Sequence, residues 1–384
     1  MKILLLVAGG WISFMNQGRS LQRALKASGA HTELLFAGSS PADITHTPDL
    51  RPYRDHLIIT IGSWQDYDRL IKPALEVGCK VLPWIVSDAA VDKAAVDKLN
   101  QLPWFLTTSE YCRDIFIRDG INPPKVRVLY ETVDEDIWAP ANSEQIDRFL
   151  DYLSIDEDNG VVMPISFNLR KAKAEKVPIL LTIGGDATSK GAMETIAALH
   201  KLDAQTQWVW IIKTLPYPYS WQSSVDQYEA LRELLPRVKF ITGEFSEAFL
   251  VQLMCLCDIY IAPSRGEGFG LPLVEAQMCG KMVITHDATS TQEIVIKNQT
   301  GLLANHHTVS TSDVKGSMRA DPDSLAIQLQ AALTNNHLRD KLSAKARPIA
   351  IERFGKQAIA KKLLEYIQEF IVPTQTNKQD QNNT

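Results

Sequence analysis

Short apolar runs alternate with amphipathic helical runs along this chain, stop once, and then resume. That pattern predicts an α/β fold of two parallel-sheet domains facing each other across a cleft. The length agrees, because 384 residues are long for one domain and comfortable for two. Ligands of open parallel sheets bind beyond the carboxyl ends of the strands, so the cleft is where a site is expected.

Taken in order, KILLLVA (2–8) is a buried parallel strand that enters the glycine turn of Gly9 and Gly10. It is not read as a signal peptide: the apolar run ends at Ala8, short of a usual hydrophobic region, and no small-residue cleavage site follows a longer one. A loop and the helical SLQRALKASG (20–29) come next, then strands TELLFAG (32–38) and HLIITIG (56–62). The helical DYDRLIKPALEVG (66–78) precedes strands KVLPWIV (80–86), WFLTTS (104–109) and KVRVLY (125–130). Residues 140–177 break the alternation, acidic first and then basic, with only short apolar runs, and are expected to form an irregular interdomain connection. We therefore expect a first domain over 1–140, a linker over 141–176 and a second domain over 177–355.

Alternation resumes with VPILLTIGG (177–185), the helix GAMETIAALHKL (191–202) and the strand WVWIIK (208–213). VKFITG (238–243), a helix around 246–256, DIYIAP (258–263), a further helix and KMVITH (281–286) complete the second unit. Helical runs at 323–335, 337–348 and 356–371 close the chain, and the polar stretch 373–384 is expected to be disordered.

Composition excludes several classes. A net charge of -5 argues against nucleic acid as the main partner, since binding it usually needs a basic face. No run approaches the roughly 20 apolar residues of a membrane span. No strong basic amphipathic helix is evident, which leaves at most peripheral membrane contact. The five cysteines (Cys79, Cys112, Cys255, Cys257, Cys279) lack metal-type spacing and read as reduced structural thiols, pointing to a cytoplasmic protein with no bound metal.

The most informative segment is SRGEGFGLPLVEAQMCG (264–280). Glu267 and Glu275 flank Gly268, Phe269, Gly270 and Leu271, and Pro272 suits the first turn of a helix. Glu267 thus sits on the loop before that helix, and Glu275 about one turn inside it. Glycines admit close approach to the backbone, and the free N–H groups of a helix start favour an anion. A phosphate at the helix mouth, with a polyhydroxylated group held by a carboxylate on either side, fits this arrangement; a sugar nucleotide has that shape. A second glycine turn, GGDATSKG (184–191), lies between a strand and a helix and offers Lys190 to a diphosphate. It matches neither the nucleotide-triphosphate loop nor the dinucleotide fingerprint.

Together, IGGDATSKG, VKFITGEF and CDIYIAPSRGEGFGLPLVEAQMCGKMVITHDATSTQEIV closely resemble the carboxyl-terminal half of glycosyltransferase family 4. The resemblance continues through NQTGLLAN (298–305) and ARPIAIERFG (346–355), and is looser in LTTSEYCRDIF (106–116) and KVRVLYETVDEDIWAP (125–140). It implies the GT-B architecture, two Rossmann-like domains, and retaining, metal-independent transfer of a hexose from a nucleoside-diphosphate sugar to an acceptor hydroxyl. The donor is a substrate, and no cofactor is expected. The acceptor is a glycan, a lipid or a small molecule. The resemblance places Glu267 beside the transferred sugar and Glu275 on the ribose. The backbone at Phe269, Gly270 and Leu271 meets the sugar and diphosphate, and Lys190 balances the diphosphate charge. The backbone near Phe245 meets the base, and Gly9 and Gly10 let the first domain close over the donor. It also implies that the last helix, 356–371, packs back on the first domain.

The sequence departs from the family in two places. Family members often carry an arginine where this chain has Gly185; Arg265, Lys213 or Arg170 are the available replacements. Many also have a histidine where this chain has Ser87 and Asp88, so Asp88 either contacts a sugar hydroxyl or shares an ordinary helix-capping role with Ser87. Plainer readings stand beside several other residues. Glu293 is expected to cap a helix start, and His286–Asp287 to form a turn or meet sugar. Trp11 either stacks on a sugar or acceptor or fills the core, and the aromatic loop 215–221 is a lid, an acceptor platform or surface packing. Two other functions are compatible: a catalytically silent sugar-nucleotide or glycan sensor, and an epimerase or phosphorylase on the same architecture.

Overall fold

The computed structural model describes residues 2–38, 47–155, 169–184, 190–214, 229–309 and 318–372. Gly185, the loop 215–221 and the tail 373–384 therefore lie outside the described residues. The first half contains β1 (Lys2–Ala8), α1 (Ile12–Ala27), β2 (His31–Ala37), β3 (Leu57–Ser63), α2 (Lys72–Glu76), β4 (Lys80–Val86), α3 (Lys93–Leu99), β5 (Phe105–Thr107), α4 (Glu110–Arg118) and β6 (Val126–Val128). After α5 (Ser143–Ile155) and α6 (Leu169–Ala174), the second half contains β7 (Ile179–Ile183), α7 (Ala192–Leu199), β8 (Val209–Thr214), β9 (Val238–Thr242), α8 (Glu247–Leu256), β10 (Ile259–Ile261), α9 (Leu271–Met278), β11 (Met282–His286), α10 (Thr291–Ile294) and β12 (Gly301–Ala304). A two-stranded hairpin, β13 (His306–Thr308) and β14 (Met318–Ala320), leads to α11 (Pro322–Thr334), α12 (Asn336–Phe354) and α13 (Lys356–Ile371).

Among the described residues, two 6-stranded sheets run in the orders β2-β1-β3-β4-β5-β6 and β12-β11-β10-β7-β8-β9. Their neighbouring strands are parallel, with Leu5 of β1 opposite both Leu34 and Ile59, and Leu181 of β7 opposite Ile211. Helices on both faces explain why the strands read as unbroken apolar runs rather than alternating ones. Along β1, Leu4 and Leu6 pack to one side with Ile58, Phe105 and Phe116, while Ile3, Leu5 and Val7 pack to the other. Strand β7 does the same, with Leu180 facing Trp210 and Ile259, and Ile179 and Leu181 facing Tyr260 and Met254. Each such fully buried side chain contributes about 1.5–3 kcal/mol.

Each sheet reverses its order of growth once, between β1 and β3 in the first and between β7 and β10 in the second. Those reversals open the crevices where ligands of such sheets bind. The loop after β1 holds Gly9 and Gly10; the loops after β7 and β10 hold Lys190 and the Ser264–Leu271 segment.

Three regions differ from the sequence expectation. Helix α1 begins at Ile12, directly after the glycine turn, where a loop had been expected. Gly18 permits this, because a Cβ there would sit 2.6 Å from a Val7 methyl, so only glycine lets the helix lie this close to β1. The stretch 66–78 is a π turn over Tyr67–Ile71 followed by the short α2, which has Pro73 in its first turn. The supposedly irregular 140–177 contains two helices, and Phe149, Leu150 and Leu153 of α5 lock into the core of the second sheet with Leu169 and Ala172. Their three- and four-residue spacing buries one helical stripe despite the acidic surroundings.

The last helix, α13, crosses to the first sheet and buries Ile359, Leu363 and Ile367 against Leu21 and Leu25 of α1. Just before it, the Phe354 carbonyl accepts hydrogen bonds from Thr132 Oγ1 (3.0 Å) and the Val133 N–H (3.2 Å). The two chain crossings are thus fastened to each other. Among the described residues, no helix is long and apolar enough to cross a membrane.

Candidate functional site

The two loops that flank the β7–β10 reversal meet in a half-buried ion pair. Lys190 Nζ lies 2.6 Å from Glu267 Oε2, with the two side chains 31% and 17% exposed. Helix α7 starts immediately after Lys190 with Gly191 as its N-cap, and a Cβ on Gly191 would stand 2.0 Å from the Pro263 carbonyl oxygen. That close approach brings the two loops together. Arg265 fastens them again, its Nη2 lying 2.8 Å from Oε1 of Glu194 in the first turn of α7. Arg265 is thereby paired inside the second domain, and Arg170 pairs with Asp147 and Asp151 beside α5. Of the three candidate cations, Lys213 lines the cleft, where it faces the Phe245 ring at 5.9 Å.

Gly270, at φ 111°, is the N-cap of α9, and Leu271 and Pro272 form its first turn. Glu275 follows one turn later and is almost completely buried. Burial, with the Glu247 charge nearby, pushes its carboxyl up to about 8. Phe269 points the other way, into the core, with its ring 6.0 Å from that of Tyr130 and 5.7 Å from that of Phe354. Ser290 Oγ donates to the carbonyls of both Glu267 (2.8 Å) and Phe269 (2.6 Å), which fixes the loop from below.

The first domain grips this loop directly. The Gly268 carbonyl accepts from Thr108 Oγ1 at 3.0 Å, Ser109 Oγ at 2.7 Å and Cys112 Sγ at 3.1 Å. A Cβ on Gly268 would lie 2.3 Å from a Val86 methyl at the end of β4. Glu293 extends the contact: its carboxylate accepts the N–H groups of Glu110 (2.9 Å) and Tyr111 (2.8 Å), in the first turn of α4. It caps a helix start, as expected of it, but one that belongs to the opposite domain. Sequence reasoning quoted Thr108, Ser109 and Cys112 without assigning them a role. The Ser-x-x-Cys spacing before a helical run was the available signal, since Ser109 also caps α4 through the Cys112 N–H.

Asp88 follows β4 on the same rim, partly buried and near Tyr111. The cap of α3 is neither Ser87 nor Asp88 but Asp92, which accepts the Ala95 N–H at 2.7 Å; Ser87 instead bonds the Ala89 carbonyl. Gly9 and Gly10 form the turn after β1, where the Gly9 N–H bonds the Ala37 carbonyl and a Gly9 Cβ would meet the Gly38 oxygen at 1.8 Å. Trp11 is 59% exposed beside them, which excludes core filling. His286 is buried at the end of β11 and held neutral, its pKa pushed down to about 4 by burial; Asp287 pairs with His306 at 2.8 Å.

Between α1 and the second domain lies a cavity of about 280 Å³, lined by Ile12, Asn16 and Arg19 on one side and Lys213, Phe245 and Glu247 on the other. Phe245 stacks on Phe249 with ring centres 4.1 Å apart, giving that wall a flat aromatic edge. Arg23 of α1 bridges the cleft to Glu247 of α8 at 2.9 Å. A charged, hydrogen-bonding loop thus sits at one end of the cleft and an aromatic chamber at the other.

Comparison with known proteins agrees with this geometry. Residues 167–348 match the family described as glycosyl transferases group 1. Over 242 residues the chain is 21% identical to alpha-maltose-1-phosphate synthase of Mycolicibacterium smegmatis, covering 61% of this chain and 57% of that protein. Over 98 residues it is 37% identical to D-inositol 3-phosphate glycosyltransferase of Jonesia denitrificans, covering 26% of this chain and 20% of that one. The chain thus spans less than two thirds of these two relatives. Among solved structures, Anabaena HepE in complex with UDP and glucose superposes with a TM-score of 0.70 at 17% identity, covering 96% of this chain and 100% of that one. A glycosyltransferase from Rickettsia africae superposes at 0.73 with 16% identity, covering 97% and 99%. Two parallel sheets facing across a cleft are accordingly the GT-B architecture, and residues 167–348 of the second half are similar to the glycosyl transferases group 1 family.

Proposed function

We propose that this protein transfers a hexose from a nucleoside-diphosphate sugar to an acceptor hydroxyl, with retention at the anomeric carbon and without a metal ion. The observation that carries the reading is the Lys190–Glu267 pair at the β7–β10 reversal, with the buried Glu275 one helical turn behind it. The named neighbours add support, since HepE was solved with UDP and glucose.

In this reading the diphosphate lies between Lys190 and the N-terminus of α9, which together favour the charge that develops as the glycosidic C–O bond to phosphate breaks. Lys190 leaves Glu267 for the phosphate, freeing that carboxylate to hold hydroxyls of the transferred sugar. The acceptor oxygen attacks the face that the diphosphate leaves, and its proton passes to the departing phosphate oxygen, so neither glutamate acts as nucleophile. Glu275 holds the ribose hydroxyls, the flat wall at Phe245 lies along the base, and Asp88 faces the reacting sugar from the first domain. Closure of the domains over the site excludes water and suppresses hydrolysis.

The test is turnover of UDP-, GDP-, dTDP- and ADP-hexoses by the wild type, Lys190→Ala and Glu267→Ala. Each substitution is expected to lower kcat by about 100-fold or more, the size seen when one preorganised charge-stabilising donor is lost. Binding of donors without turnover under any acceptor favours the sensor instead, and phosphate-dependent cleavage the phosphorylase.

A further inference from the structure

The segment between β6 and the Phe354 crossing carries a carboxyl that the proposed mechanism does not use. Glu131 is only 6% exposed, and the charged groups that face it are the carboxylates of Glu267 and Glu275. Those two residues lie 136 and 144 positions further along the chain, so only the fold brings the three together. Among the described residues, none donates a hydrogen bond to the Glu131 carboxyl, and no cation stands against it. The backbone around it is held firmly. Tyr130 packs on Phe269 and Phe354, Thr132 and Val133 bond the Phe354 carbonyl, and Asp134 pairs with Lys356 at 2.5 Å.

A buried, unpartnered carboxyl beside two others costs stability. An apolar residue of similar size would remove that cost, so the group is best explained by a ligand that arrives with hydrogen-bonding partners. Resting on the glycosyl-transfer reading, we propose that Glu131 is a third carboxyl of the donor site and determines specificity by hydrogen-bonding a hydroxyl of the transferred sugar beside Glu267. Burial, with Glu267 and Glu275 nearby, holds it well above the ordinary carboxylate range, which favours its protonated form. A protonated carboxyl both donates to a hydroxyl oxygen and accepts from a hydroxyl hydrogen, whereas an ionised Glu267 only accepts. The pair can therefore hold adjacent hydroxyls with opposite polarities. A site built to pair a hydroxyl rejects a ligand that lacks it, because its own buried groups are then left unpaired.

The experiment is calorimetric titration at neutral pH of wild type, Glu131→Gln and Glu131→Ala with UDP-, GDP-, dTDP- and ADP-glucose. Each is measured against its bare nucleoside diphosphate, and ligand-free thermal unfolding is recorded beside it. The inference expects Glu131→Ala to bind the preferred nucleotide sugar about 10-fold more weakly or worse while binding the bare diphosphate unchanged. Glu131→Gln should fall between the two, and the ligand-free Tm of both variants should equal or exceed that of the wild type. Unchanged sugar-nucleotide binding in Glu131→Ala overturns the inference. So does an equal loss for the bare diphosphate, or a lowered ligand-free Tm, either of which marks a structural role. A wild type that binds none of the eight compounds overturns the glycosyl-transfer reading itself and takes the inference with it.

Discussion

The two sheets have the same architecture and opposite chemistry at their crevices. At the β7–β10 reversal of the second sheet, the loops carry Lys190, Glu267 and Glu275. At the β1–β3 reversal of the first, the loop after β1 offers the glycine turn of Gly9 and Gly10, with its backbone tied to Ala37. What the first domain brings to the Gly268 loop and to Glu293 is neutral: the Thr108 and Ser109 hydroxyls and the Cys112 thiol on the Gly268 carbonyl, and the Glu110 and Tyr111 N–H groups on Glu293. The difference separates two tasks that one fold serves twice. The second domain supplies the charged Lys190–Glu267 pair, and the first holds that loop in shape, so the loop's geometry depends on the contact between domains.

The strongest way to break that dependence is at the contact itself. Gly268→Ala places a methyl against Val86, and kcat is expected to fall by on the order of 100-fold, the cost of displacing a reacting loop by about 1 Å. Val86→Ala should restore much of it in the double variant, because the obstructing atom belongs to that side chain. Failure of the rescue, with both variants folded by calorimetry, would mean that the fit between the domains does not set the loop.

A middle-sized effect concerns the charged side alone. The Glu275 carboxyl is raised from an ordinary value of 4.5 to about 8, so the folded protein holds a proton there that the unfolded chain releases. Stability from this group is full below its unfolded value and is lost as pH rises through about 8. Glu131, also raised, adds a slope of the same sign. Tm measured between about pH 5 and pH 8 should therefore decline less steeply in Glu275→Gln than in the wild type, at the expense of donor affinity. Parallel slopes would refute the assignment.

The smallest effect belongs to the cap between domains. Glu293→Ala should cost about 1 kcal/mol, the usual worth of a helix cap, and lower Tm by about 2–4 °C. A wild-type Tm with a raised donor KM would instead show that the cap serves closure more than stability.

How much of this was legible depended on the range of the physics involved. Strand positions could be read because a strand buried on both faces reads as a nearly continuous apolar run, as ILLLVA (3–8) and ILL (179–181) do. The start of α1 could not, since ISFMNQGRS has poor intrinsic helix preference and is held by the fit of Gly18 against Val7. Helix α5 was hidden among acidic residues until Phe149, Leu150 and Leu153 found the second core. At the site, Lys190, Glu267 and Glu275 announced themselves through local glycine turns and a helix start. Glu131 had no such local context, because a buried carboxyl looks like any other glutamate until its surroundings are assembled.

By itself, then, the sequence determined the two parallel α/β sheets, the two glycine loops and the glutamates around the Gly-Phe-Gly turn, because periodicity, turn chemistry and capping act over a few residues. The tertiary structure alone decided that Lys190 meets Glu267 across the reversal, that Arg265 turns to Glu194, and that Glu293 caps a helix of the opposite domain. It alone buried Glu131 among carboxylates far along the chain. Those outcomes rest on burial and charge interactions between residues distant in sequence, and such interactions take their sign and size only once packing has set the distances.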